Sequence, residues 1–120
     1  MEKAKVYFIK EITPENIIKA YDVLGKKLEG KVAVKMHSGE QGNQNYLRPE
    51  FVKDVINHVK KNNSRLHLLG LISDGGVHSH INHLLAMLDM CKENGIKDLY
   101  LHLFTDGRDV SPTSSYIYIK

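Results

Sequence analysis

The sequence predicts a small α/β fold: a three-layer α/β/α sandwich with four mainly parallel strands and a flavodoxin-like outline. Three observations lead there. Short β-prone runs alternate with helix-length amphipathic runs in the order β-α-β-α-β-α-β, the pattern of a parallel sheet covered by helices. One run, Leu66-His67-Leu68-Leu69-Gly70-Leu71-Ile72, is almost continuously apolar, as in a strand buried on both faces. The breaks between runs carry helix-start and helix-stop residues where the alternation needs them.

The elements follow in order. Residues 5–9, with Val6, Tyr7 and Phe8, form a short first strand. Thr13-Pro14 supplies an N-cap followed by proline at the first helical position. Ile17, Ile18, Tyr21, Leu24 and Leu28 continue at helical spacing, and Gly30 ends that helix. Val32, Val34 and Met36 alternate with Ala33 and Lys35 in a second strand. After a polar loop at 37–45, Pro49 opens a second helix whose apolar face is Phe51, Val52, Val55, Ile56 and Val59. Asn62-Asn63-Ser64 is a turn, and 66–72 is the third strand. The third helix spans about 78–94, with apolar positions at Ile81, Leu84, Leu85, Leu88 and Cys91 and with Gly95 as its stop. Residues 99–104 form the fourth strand, and Ser111-Pro112 starts a last helix. The expected strand order is 2-1-3-4. Right-handed crossovers place the loops at 37–45, 73–79 and 105–111 on one edge, where open α/β sheets bind ligands.

Composition narrows the function. The 120 residues suit one compact domain. A hydrophobic share of 42%, a charged share of 26% and a net charge of +3 are ordinary for a globular chain. Lys and Arg are dispersed, which argues against nucleic acid as a partner. No apolar run approaches the roughly 20 residues that span a bilayer, so no membrane partner is expected. Cys91 is the single cysteine; in an apolar helix pattern it reads as a small core residue of a reducing, cytoplasmic chain.

Two loops carry the chemistry: Ser73-Asp74-Gly75-Gly76-Val77-His78-Ser79-His80 and Thr105-Asp106-Gly107-Arg108-Asp109. Gly75 and Gly76 let backbone approach a ligand closely, a helix start directs N–H groups at an anion, and His78 and Arg108 add charge-assisted donors. Together they read as half of a site for a phosphorylated small molecule. Arg108, between Asp106 and Asp109, is equally suited to clamping a phosphate and to ordering its loop by a local ion pair. Asp74 reads as a turn former or helix cap. His78, His80 and His83 raise a metal reading, but zinc sites take three or four ligands of suitable geometry, and no native metal site is expected. His37, Ser38 and Glu40 lie too close in sequence to be taken as a nucleophile and its base. Met87 and Met90 read as core or interface filler.

At these motifs the chain resembles a known family. Residues 63–120, through the run from Leu66 to Leu84 and through Leu103-Phe104-Thr105-Asp106-Gly107-Arg108-Asp109-Val110-Ser111-Pro112, resemble the transferase domain of the cofactor-independent (2,3-bisphosphoglycerate-independent) phosphoglycerate mutases. The resemblance implies substrate contacts from His78, Arg108 and Asp109, and, in a separate phosphatase-like domain, two manganese ions and a serine nucleophile. No counterpart of those metal ligands or of that serine segment is found here, so no cofactor and no catalytic residue are expected. Residues 1–61, through Lys31-Val32-Ala33-Val34-Lys35-Met36-His37-Ser38-Gly39-Glu40 and the stretch from Gly42 to Val52, are similar to the DUF362 family. Its iron–sulfur cysteines are absent.

The expectation is therefore a chimera of two α/β fragments, 1–62 and 63–120, with its seam near 61–64. It would be a recombined or designed domain with no complete active site and no native enzymatic role. Two alternatives stand beside it: a weak phosphate- or phosphoglycerate-binding module derived from the mutase, and a self-associating module that pairs with copies of itself.

Overall fold

The computed structural model describes residues 3–25, 29–37 and 42–119. Contacts divide the chain into two compact units, Met1–Lys35 and Met36–Lys120.

Among the described residues, the first unit is built on one helix, α1 (Pro14–Asp22). Its start is the one the sequence predicts: the Thr13 hydroxyl accepts the Asn16 N–H at 3.2 Å, and Pro14 takes the first position. Its end is not. The helix stops at Asp22 instead of running towards Gly30, and a turn closes at Gly25, whose φ of +62° suits glycine. Leu24 is exposed beyond it, and Leu28 lies outside the described residues. The expected strands at 5–9 and 32–36 are absent. Val6, Phe8, Val32 and Val34 are exposed and join no ladder. Alternation of β-branched residues supplies a surface that fits a pleat, but a strand exists only where a neighbour completes its hydrogen bonds.

The second unit holds α2 (Pro49–Lys61), β1 (Leu66–Ile72), α3 (Ile81–Glu93), β2 (Leu99–Thr105) and the short α4 (Tyr116–Ile119). Pro49 opens α2, and Asn63, at a φ of 49°, turns the chain after it. Gly95, at +70°, follows α3 as predicted. The last helix begins only at Tyr116, after turns at 112–115, rather than at Ser111-Pro112.

β1 and β2 pair in parallel, with Leu66 opposite Leu99 and Ile72 opposite Thr105. Among the described residues this is the whole sheet, so the four-stranded sandwich is reduced to a two-stranded α/β unit. The core is small. Ile56 of α2, Leu66 of β1 and Cys91 of α3 are buried together, flanked by Val52, Val59, Leu68, Met90, Ile96 and Leu99. Burial pushes the Cys91 thiol up, away from thiolate chemistry.

β1 is not buried on both faces. Its ends Leu66 and Ile72 are buried, while His67 and Leu69 are exposed. Leu66 and Leu68 meet the helices on one face. The alternate residues His67, Tyr100 and His102 form a line of rings on the other, with His67 stacked 4.9 Å from Tyr100 and its Nδ1 2.9 Å from His102 Nε2. No helix among the described residues is long and apolar enough to cross a membrane.

Candidate functional site

Parallel pairing brings the two chemical loops together. Both follow paired strands in the same direction, so the first residues past the strand ends, Ser73 and Asp106, emerge side by side at one sheet edge. Each loop is then held by its own side chains. Ser73 Oγ accepts the Gly75 N–H at 3.0 Å. Asp106 Oδ1 accepts the N–H groups of Arg108 at 3.0 Å and Asp109 at 3.1 Å, a turn in which an aspartate replaces a backbone acceptor.

The first loop doubles back before its helix. Ser79 Oγ donates to the Leu71 carbonyl at 2.6 Å, and the Ile81 N–H donates to the Ser73 carbonyl at 2.7 Å. The helix consequently starts at Ile81, three residues later than predicted. Its N-cap is His80, whose Nδ1 accepts the Asn82 N–H at 3.2 Å. Asp74 is exposed in the bend and is not the cap. His78 therefore sits on a loop and not at a helix start.

The glycines have separate reasons. A Cβ at Gly75 would meet Val110 Cγ1 at 3.0 Å and Asp109 Cβ at 3.3 Å, so the loops pack against each other there. Gly76 has a φ of +70°, which a side chain rarely adopts. Both N–H groups donate inside the loop, Gly75 to Ser73 Oγ and Gly76 to the Ser79 carbonyl.

His78 and Asp109 join the loops. His78 Nδ1 lies 2.6 Å from Asp109 Oδ2. An ionised carboxylate only accepts, so Nδ1 carries the proton and Nε2 is left for another partner. The Asp109 side chain is 10% exposed and that of His78 is 51% exposed. Arg108 Nε is 3.9 Å from Asp109 Oδ1, at the limit of an ion pair, with its side chain 85% exposed. The guanidinium thus stands in solvent beside the pair and is not consumed by it.

The Ser73 hydroxyl and the N–H groups of Arg108 and Asp109 hold the Asp106 carboxyl below its ordinary value of 3.8. A lowered native value means that its contribution to stability is complete above pH 3.8 and fades as pH falls through the native value. The carboxyl-carbon signal of Asp106 itself is expected to stay fixed on acidification through pH 3.8 and to shift only below it, as followed by a carbon-detected NMR pH series. Partial burial and then nearby Asp74 push the Tyr118 phenol up.

The structure thus brings His78, Arg108, Asp109, Gly75 and Gly76 to one place. Ser73 had no role assigned from sequence, and Asp106 only that of a carboxylate flanking Arg108, whereas it takes the backbone N–H groups of Arg108 and Asp109. For Asp106 a signal existed, since Asp followed by Gly-Arg-Asp is a turn pattern; for Ser73 there was none. Of the His37, Ser38 and Glu40 group, Ser38 and Glu40 lie outside the described residues. No group of three or more His, Cys, Asp or Glu side chains among the described residues is arranged to hold a metal ion.

Comparison with known proteins adds a family. The family described as BPG-independent PGAM N-terminus (iPGM_N) matches residues 40–120. The 2,3-bisphosphoglycerate-independent phosphoglycerate mutase of Listeria monocytogenes serovar 1/2a is 56% identical over 69 residues, covering 58% of this chain and 14% of the relative. That of Onion yellows phytoplasma is 62% identical over 67 residues, 55% of this chain and 13% of the relative. The Clostridium botulinum enzyme is 60% identical over 66 residues, again 55% and 13%. The chain thus spans about one-seventh of the length of these curated relatives.

The family match overturns the chimera expected from the sequence. It begins at residue 40 and takes in both α2 and the expected seam near 61–64. The packing agrees, because Ile56, before the seam, shares one core with Leu66 and Cys91 after it. A recombined or designed origin with no native role is withdrawn. The DUF362 resemblance of the first half has no part in these findings.

Proposed function

The chain belongs to the BPG-independent PGAM N-terminus family, and from that premise we propose that its paired loops hold a phosphorylated three-carbon acid of the phosphoglycerate type. This would be the substrate-holding part of a 2,3-bisphosphoglycerate-independent phosphoglycerate mutase. The observation that carries the reading is the meeting of the loops through His78 and Asp109 at 2.6 Å, with Arg108 projecting beside them.

The chemistry matches such a ligand. Arg108 presents a planar fork suited to phosphate or carboxylate. With Nδ1 engaged by Asp109, His78 turns to the ligand through Nε2. Protonated, that nitrogen donates to an anionic oxygen; neutral, it accepts from a hydroxyl. Phosphoglycerate offers all three groups. Asp109 positions the imidazole and limits its rotation. Gly75 and Gly76 serve by turn geometry and close loop packing, their N–H groups being engaged within the loop.

The resemblance also implies two manganese ions, held in a separate phosphatase-like domain. The described residues do not fit them, since no trio of metal-ligating side chains converges. The proposal is accordingly one of substrate holding, with no phosphoryl-transfer step assigned to these residues.

The test is an amide-shift titration with 3-phosphoglycerate. Shifts confined to residues 75–79 and 107–109 at millimolar ligand are the expected result. Saturating ligand with no shift in either loop would overturn the reading.

A further inference from the structure

A buried carboxylate beside a proposed anion site needs a reason. Asp106 is 4% exposed and carries charge of the same sign as the ligand. Burying it costs free energy unless its oxygens are engaged. Register explains its place: Ile72 opposes Thr105, so Ser73 and Asp106 are the first residues beyond the paired ends, and Ser73 is 1% exposed. Oδ1 holds the Arg108 and Asp109 N–H groups. Oδ2 is buried and takes no hydrogen bond, although the Ser73 hydroxyl lies beside the carboxylate. That hydroxyl in turn holds Gly75, where the two loops touch.

We infer that Asp106, together with Ser73, is a positioning residue of the anion site: it fixes the Arg108–Asp109 backbone so that the Asp109 carboxylate meets His78 and Arg108 projects outward. Asp106 touches no ligand in this arrangement. It acts through two backbone N–H groups, and Ser73, beside it at the sheet edge, holds Gly75 where the first loop packs on Asp109. Asp106 thereby orders the second loop and Ser73 the first, at the point where the two loops touch. The inference rests on the phosphoglycerate reading for its ligand, but not for its geometry.

The experiment compares the 120-residue chain with Asp106→Ala, Asp106→Asn and Ser73→Ala, by imidazole nitrogen NMR without ligand and by 3-phosphoglycerate titration. In the unaltered chain the His78 proton resides on Nδ1. In Asp106→Ala that signature is expected to move to Nε2, the Kd to rise about tenfold, and the β1–β2 amide signals to stay in place. Asp106→Asn, whose Oδ1 can still accept both N–H groups, is expected to restore the Nδ1 signature. Folded Asp106→Ala with an unchanged tautomer and Kd overturns the inference. Should that variant fail to fold, Ser73→Ala decides: a partial move of the His78 proton supports the inference, and an unchanged tautomer in the folded variant overturns it. If the unaltered chain binds no 3-phosphoglycerate, the ligand reading fails while the tautomer comparison still decides the positioning role.

Discussion

Replacing Ile56 with alanine is expected to unfold the 36–120 unit. Ile56 is 2% exposed and shares a core with, among the described residues, only two other buried apolar members, Leu66 and Cys91. Truncating a buried isoleucine costs about 2–5 kcal/mol, the transfer term plus the cavity left behind. Small domains have little to spare, because net stability is about 5–15 kcal/mol in typical cases and less at this size. The cavity would open where α2 meets β1, so loss of the strand pairing should accompany loss of the helix. Chemical denaturation followed by circular dichroism gives the measurement. A midpoint within error of the unaltered chain would show that the burial at Ile56 contributes nothing, against the packing described. Ile56→Val, which removes one methyl group, should cost about 0.5–1.5 kcal/mol and leave the fold intact.

Arg108→Ala is expected to weaken phosphoglycerate binding without touching stability. The side chain is 85% exposed and its nearest carboxylate oxygen is 3.9 Å away, so an intrachain ion pair there is worth about 0–1 kcal/mol at most. A charge-assisted contact to a ligand contributes about 1.5–3 kcal/mol, or roughly 10–100-fold in Kd. Arg108→Lys should recover only part of the loss, because an ammonium cannot reproduce a bidentate fork. His78→Ala should weaken binding by a similar factor and also change the fold locally, since it leaves the largely buried Asp109 without its partner. Titration of each variant with 3-phosphoglycerate, beside a denaturation curve, separates the two effects. Equal binding by Arg108→Ala and the unaltered chain would remove the guanidinium from the site.

The difference between those two variants mirrors what could be read from the chain. Thr13-Pro14, Pro49 and Gly95 were legible because capping is local: the hydroxyl or the fixed φ acts within three residues of its position. Leu66–Ile72 and Leu99–Thr105 were legible as strands because their partners are each other. The runs at 5–9 and 32–36 carry the same composition, yet composition cannot supply a hydrogen-bonding neighbour. The start of α3 was misplaced for another reason. The fold-back of Ser79 onto Leu71 and of Ile81 onto Ser73 depends on where β1 ends, and periodicity does not record it. The family character of residues 63–120 was legible from two long motifs. The chimera expected from the first half does not stand, because the family match and the core at Ile56 both extend across residues 61–64.

By itself, the sequence determined which residues could serve an anion: a histidine, an arginine and an aspartate on two glycine-bearing loops, each following a strand. These are matters of side-chain chemistry and of order along the chain. Only the tertiary structure decided that His78 and Asp109, 31 positions apart, meet in a hydrogen bond, that Arg108 stays in solvent, and that the glycine N–H groups are already engaged. It also revealed Ser73 and Asp106, whose roles exist only because parallel register brings the ends of β1 and β2 side by side. A residue's chemistry is carried by its own atoms, but its partner is set by strand pairing, and pairing is a property of the folded chain.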